Sequence, residues 1–148
     1  MSSTRLSQLQ SHLTTPSDLI LKSSSADGKV ITLTINNAAR ANCLSTPALG
    51  ALLNALNSIN PEIRLDAFVD KEDPIRFAER VVRSHGTGVV PKAVIIRSAG
   101  KVFCSGHDLR EFHNAKNDFK KIHTIFQLCN TVMLTIRRLP QIVISQVE

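Results

Sequence analysis

The chain contains no tryptophan and no tyrosine, and its six phenylalanines are its only aromatics. The usual stacking platforms for single-stranded nucleic acid are therefore largely missing, and Leu, Ile, Val and Ala must fill any core. No apolar run approaches the ~20 residues that a bilayer-crossing helix needs. The N-terminus also lacks the apolar stretch of a secretory signal. Lys and Arg outnumber Asp and Glu 18 to 12, a formal net charge of +6, yet no basic block is longer than a pair. That dispersion argues against nucleic acid and fits solvated surface or a small phosphate-bearing partner. The cysteines, Cys43, Cys104 and Cys129, form no C-x-x-C pair. Free thiols in a reducing compartment follow, with no disulfide framework. Hydrophobic content of 43% with 20% charged residues is that of a globular chain of 148 residues.

Local patterns divide the chain. Residues 1–18 hold no acid before Asp18, are rich in Ser and Thr, and place Leu6, Leu9 and Leu13 on one helical face. They read as a flexible leader or as a weak mitochondrial presequence with Arg5 its only arginine. Residues 18–22 are a short strand candidate, 23–28 a turn-rich connection, and 30–35 a strand alternating with period two, which would pair with the first as a hairpin. Ser45 is an N-cap candidate with Pro47 in the first turn of a helix. Leu49, Leu52, Leu53 and Leu56 give that helix an i, i+3, i+4, i+7 stripe to lay on a sheet. Residues 61–91 carry a charged run (Asp70 to Asp73), a short amphipathic stretch over 75–82 and a Gly-rich loop. A solvent-facing lobe is expected there, since long insertions cost little entropy.

The most telling stretch is residues 92–112, KAVIIRSAGKVFCSGHDLREF. An apolar strand (Ala93, Val94, Ile95, Ile96) and a second apolar step (Val102, Phe103) lead into the small-residue turn Cys104-Ser105-Gly106. His107, Asp108, Leu109 and a charged, helix-like stretch follow. A strand feeding a tight turn that opens a helix leaves backbone N–H groups unpaired. Such groups serve as donors to a developing oxyanion without using a side chain. A plain βα unit of another α/β protein explains the same pattern.

Other constellations fail on spacing. Ser105, His107 and Asp108 are near neighbours whose side chains diverge, whereas a nucleophilic triad is assembled from distant segments. Ile95 stands where a P-loop through Gly100-Lys101 needs its first glycine, and Gly86-Thr87-Gly88 lacks the third glycine and the preceding strand of a dinucleotide fingerprint. Cys104 and His107 have C-x-x-H spacing without a second pair, so no metal site is expected, and His113 and His123 read as surface or helix-face residues.

Read together, three segments in order resemble the crotonase (enoyl-CoA hydratase/isomerase) superfamily. Residues 103–109, F-C-S-G-H-D-L, resemble its oxyanion loop, F-[AS]-[AS]-G-x-D-[LI]. Residues 36–45, NNAARANCLS, resemble its N-R-P-x-x-x-N-A-L-S, with Asn37-Ala38 in place of Arg-Pro and Cys43 in place of Ala. The helix expected over 125–136 and the following R-R-L-P-Q-I-V-I resemble its helix and I-x-x-[LH]-P-x-P-V-I-A. S-G-H-D-L followed by a helix carrying C-x-x-V-M and I-R is similar to one particular branch. The resemblance covers about residues 29–148 apart from the insertion.

The resemblance implies an α/β fold, a crotonase-like spiral of ββα units, truncated and with a helical or irregular insertion at about 61–91. The N-terminal part of that domain would occupy 19–148. An acyl-CoA thioester would be the partner, with coenzyme A as part of the substrate and no separate cofactor. The His107 backbone N–H would stand in the oxyanion hole. Arg40, Ala41 and Cys43 would line the coenzyme A side. Ser105, Gly106, His107, Asp108 and Leu109 would meet the adenine and thioester end, Leu109 as an apolar wall, while the His107 imidazole shapes the acyl pocket or sits in solvent. Asp108 reads as the cap of the following helix. Arg97 and Lys101 would meet phosphates or lie on plain surface. The family's second oxyanion donor and acid/base carboxylates would fall beyond Glu148. Losing one donor costs about 2.7–4 kcal/mol of transition-state stabilisation, so the chain as it stands is expected to show little or no catalysis. The resemblance further implies lipid metabolism, a mitochondrial setting or otherwise a cytoplasmic or peroxisomal one, and a homotrimer or hexamer for the full-length parent. The alternative is a catalytically inactive interaction module or a truncated product.

Overall fold

A computed structural model of the chain describes residues 18–60 and 88–147. The leader short of Asp18, and most of the 61–91 insertion with its amphipathic stretch, lie outside the described residues.

Strand β1 (Ile20–Ser24) pairs antiparallel with β2 (Val30–Ile35), from Ile20 opposite Ile35 to Ser24 opposite Ile31. The hairpin closes through Ser25 N–H to Val30 O at 2.9 Å and through the Asp27 carboxylate. That carboxylate accepts from Ser25 Oγ at 2.7 Å and from the Lys29 N–H at 3.1 Å. These hydrogen bonds, Ser25 first, hold the Asp27 carboxyl down at about 2. β1 begins at Ile20, later than the expected Asp18. Asp18 and Leu19 instead form a turn whose carbonyls accept from the Asn36 side chain (3.0 Å) and the Asn36 N–H (2.8 Å).

Helix α1 (Thr46–Asn57) starts where its signals lie. Ser45 Oγ accepts from the Ala48 N–H at 3.3 Å, and Pro47 sits in the first turn, where its missing N–H costs nothing. Its leucine stripe is buried. Lys22 of β1 crosses to the other end, donating to Ser58 O (3.3 Å) and Ser58 Oγ (2.8 Å) where a cation favours the helix dipole. Partial burial lowers the Lys22 pKa from its ordinary value.

Strand β3 (Ala93–Ser98) then lies parallel to β2, from Val30 opposite Ala93 to Ile35 opposite Ser98. The short helix α2 (Leu109–Asn114) and the long α3 (Phe119–Arg138) lead to β4 (Ile142–Ser145), parallel to β3. Residues 102–103 form no strand. The sheet order is β1-β2-β3-β4. The ββα order appears in β1-β2-α1, after which two helices separate β3 from β4.

The core occupies one face of the sheet. Ile31, Leu33, Ile35, Val94 and Ile96 meet Leu49, Leu52, Leu53 and Leu56 of α1 and Leu128 and Val132 of α3. Each such side chain contributes about 1.5–3 kcal/mol by leaving water. The α3 stripe Ile125, Leu128, Val132, Thr135 keeps the helical period, with Asp118 capping the N-terminus through the Lys121 N–H at 2.9 Å. A reciprocal amide pair, Asn60 with Gln141 (3.0 Å each way, both buried), ties the end of α1 to the start of β4.

Candidate functional site

Parallel strands end on the same side of a sheet, so the loops after β2 and β3 meet there. The Ala99 N–H extends the ladder to Ile35 O at 2.8 Å. The first loop makes a 3-10 turn (Ala38–Arg40) and then reverses through Ala41 (φ 49) and Asn42 (φ 51), both in the left-handed region. Asn tolerates that region better than most residues. Asn42 is fully buried and joins both loops. Its Oδ1 accepts from the Asn37 N–H at 2.8 Å, and its Nδ2 donates to Ala99 O and Val102 O, both at 2.7 Å. Gly100 (φ +79) permits the close approach, because a Cβ there would stand 2.9 Å from the Ala38 Cβ.

Further along, the two loops run parallel. Leu44 bridges His107: its N–H donates to Gly106 O at 2.8 Å, and its carbonyl accepts from the Asp108 N–H at 3.4 Å. The Ser105 N–H reaches Ala41 O at 3.1 Å. In such a bridge the residue opposite Leu44 turns its own N–H and C=O to the other side. Accordingly, the His107 N–H has no acceptor among the described residues.

Asp108 Oδ1 caps α2 through the Arg110 N–H at 3.1 Å, as expected of it, and Oδ2 also takes the Arg40 guanidinium at 2.6 Å. Asp108 is buried while Arg40 is partly exposed. Glu111, on α2, reaches the N-terminus of α1. It accepts from the Thr46 N–H (3.0 and 2.9 Å to its two oxygens) and from Thr46 Oγ1 (2.8 Å). A carboxylate there suits the positive end of the α1 dipole.

Between the loops lies a cleft of about 340 Å³ lined by Ala39, Arg40, Cys43, Ser105, His107, Asp108, Leu109 and Arg110. Of the residues singled out in the sequence, Arg40, Cys43, Ser105, His107, Asp108 and Leu109 come together on this wall. Ala41 and Gly106 do not line it; they shape the chain that does, Gly106 at φ +88. Leu109 stands at the outer rim, 77% exposed. Burial, then the Asp108 charge, pushes the Cys43 thiol up, so it is a neutral thiol and no nucleophile. Arg97 and Lys101 are not on the wall; Arg97 Nε donates to Thr34 Oγ1 at 3.0 Å across β2 and β3. No hydrogen bond links Ser105, His107 and Asp108 side chains among the described residues, in keeping with the rejected triad.

The His107 ring packs edge-on against Phe112 (centroids 5.6 Å, 88°) and Phe126 (5.7 Å, 72°), themselves 5.3 Å apart. Its Nδ1 is buried without a hydrogen-bond partner. Among the described residues no group of His, Cys, Asp or Glu side chains is placed to hold a metal, and no helix is long and apolar enough to cross a membrane. Asn42, Glu111, Phe112 and Phe126 were not singled out in the sequence. Asn42 is the second Asn of the N-R-P-x-x-x-N-A-L-S-type segment, so its signal was present. Glu111 sits in an ordinary charged stretch and carried none.

No protein-family model matches the chain. The structure is similar to an enoyl-CoA hydratase of Mycobacterium smegmatis, with 31% identity and a TM-score of 0.63 over 87% of this chain and 39% of that one. The fold and the order of these loops are those of crotonase-superfamily proteins. Within that superfamily, the sequence is similar to rat mitochondrial enoyl-CoA hydratase domain-containing protein 3, with 42% identity over 58 residues, 38% of this chain and 19% of that protein. This is the branch that S-G-H-D-L resembles. The human protein of the same name shares the fold, at 23% identity and a TM-score of 0.57 over 87% of this chain and 40% of that one. The chain thus spans well under half the length of the relatives it matches.

Proposed function

We propose that this chain supplies one wall of an acyl-CoA site of the enoyl-CoA hydratase/isomerase type. The observation that carries this reading is the unengaged His107 N–H, held by the Leu44 bridge on the wall of the cleft. A thioester carbonyl seated against it gains a donor that strengthens as the oxygen takes on enolate charge. Arg40, Cys43, Ser105, Asp108 and Leu109 contact the coenzyme A ester, with Ala41 and Gly106 shaping the loops around it. Coenzyme A enters as part of the substrate, and no separate cofactor is needed. The second donor and the acid/base carboxylates come from residues other than those described. A second such donor is worth about 2.7–4 kcal/mol of transition-state stabilisation. We place the whole protein in mitochondrial lipid metabolism, as a homotrimer or hexamer; the names of the rat and mouse relatives support the compartment.

Titration calorimetry with an acyl-CoA tests the reading. Gly106→Val puts a β-branched residue at φ +88, where L side chains are strained, and is expected to abolish binding. Undiminished binding removes this loop from the site. A second reading, a catalytically inactive interaction module, is favoured by the apolar side chains that β4 leaves uncovered among the described residues, Ile142 70% and Ile144 47% exposed. Sedimentation decides between them: a monomer that melts cooperatively at low concentration contradicts the module.

A further inference from the structure

Helix α3 carries two apolar stripes where packing on one sheet needs one. Ile125, Leu128 and Val132 of the first are buried in the core. The second runs through Phe119, Ile122, Phe126, Cys129, Met133 and Ile136, spaced alternately three and four residues apart. That alternation is the mark of a seam that packs on another helix. Its two rows differ. Ile122, Cys129 and Ile136 are half-buried, the last two against the core, while Phe119, Phe126 and Met133 stand 83%, 53% and 45% exposed. The Phe126 ring is nonetheless held in place, 5.3 Å from Phe112 of α2. A helix of 20 residues is about 30 Å long, so a raised apolar row runs along most of it beside a sunken one. None of the six side chains lines the cleft.

The charges around this ridge define its occupant. Residues 119–138 hold four cations, Lys120, Lys121, Arg137 and Arg138, together with His123, and no acid. His123, Asn130 and Arg137 follow one another at seven-residue steps along the flank of the exposed row. The neighbouring carboxylates are committed elsewhere, Asp118 to the Lys121 N–H at 2.9 Å and Glu111 to the Thr46 N–H at 2.9 Å. A second copy of α3 would set lysines on lysines if parallel and on arginines if antiparallel, so self-pairing is opposed. An anionic lipid surface answers the charge but has no use for a seam of alternating spacing. We propose that this ridge docks a partner protein through an amphipathic helix whose apolar heptad stripe is flanked by Asp or Glu. The inference goes beyond the thioester reading and does not depend on it.

The test titrates labelled helical peptides of three heptads, about 21 residues, with the intact chain and reads fluorescence anisotropy. One peptide carries Leu at the apolar heptad positions and Glu at the flanking ones; the other has Lys in place of each Glu. The Glu peptide is expected to bind about tenfold more tightly, and to lose that advantage as salt rises. This comparison needs no variant to fold. Phe119→Ser combined with Met133→Ser, at exposed positions outside the core, is expected to weaken the Glu peptide about tenfold with the circular dichroism unchanged. Arg137→Glu narrows the preference between the peptides. Equal binding of the two peptides, or binding undiminished in the double variant, overturns the proposal. Self-association that the double variant abolishes overturns it in favour of a second copy. Capture by phosphatidylserine vesicles that the double variant abolishes overturns it in favour of a lipid surface. A longer form of the protein that no longer takes the Glu peptide also overturns it, the ridge then being covered from within.

Discussion

The two faces of the sheet are built from the same strands and live in different surroundings. On one face Ile31, Leu33, Ile35, Val94 and Ile96 lie under α1 and α3, nearly without exposure. On the other, Thr32, Thr34 and Arg97 alternate with Leu21, Ile142 and Ile144, which are 47%, 70% and 47% exposed. Period-two alternation gives every strand two faces, but only contact with a helix decides which one is core. The covered face is held by apolar burial. The loops at its end are held by hydrogen bonds.

The comparison can be broken most forcefully on the covered face. Leu33→Ala, at a fully buried position, is expected to cost about 2–5 kcal/mol in chemical denaturation, through lost burial and a cavity. A cost below about 1 kcal/mol would mean that the core does not close over β2. Next comes Asn42→Ala, which orphans the Asn37 N–H and two carbonyls. About 2–3 kcal/mol is expected, with thioester affinity falling in step, as the loops separate. Arg40→Met leaves the buried Asp108 carboxylate with its cap alone. Partial exposure of Arg40 limits the loss to about 1–2 kcal/mol, measurable as a lower Tm. On the open face, Ile144→Thr should stay within about 0.5 kcal/mol while reducing any concentration-dependent association. A larger loss would show that this face is covered in solution. The smallest effect sits at the hairpin. The Asp27 carboxyl is depressed to about 2. Its contribution is therefore present above the ordinary carboxylate range and lost as pH falls through about 2. A carboxyl 13C titration with a midpoint near 4 would contradict it.

Local chemistry was legible in the sequence. Ser45, Pro47 and the leucine stripe marked α1 within a residue, and alternation marked β2, because caps and periodicity are short-range. The start of β1 was not, since Asn36 claims the carbonyls of Asp18 and Leu19 from across the hairpin. The two loops could be picked out as segments, and their residues do meet at one cleft. What each side chain does there was less legible. Arg40 holds Asp108 from 68 residues away, and Glu111 caps a helix that begins 65 residues earlier. Neither partnership leaves a mark on either local segment. The His107 imidazole likewise depends on Phe126 of α3, a ring that reads in sequence as one more helix position.

The Asn42 staple has a kinetic meaning. Its donations span 57 and 60 residues, whereas the β1-β2 hairpin and α3 are made of near neighbours. Closing long loops is slow and entropically opposed, so the hairpin and helix are ready long before the amide finds its carbonyls. The cleft is thus expected to assemble with the long-range pairing of β2 and β3 and not with the local elements. A ligand that fits it therefore counts completed chains. By mass action it lifts the stability of the entire fold, by about 2.7 kcal/mol at a hundredfold excess over its Kd.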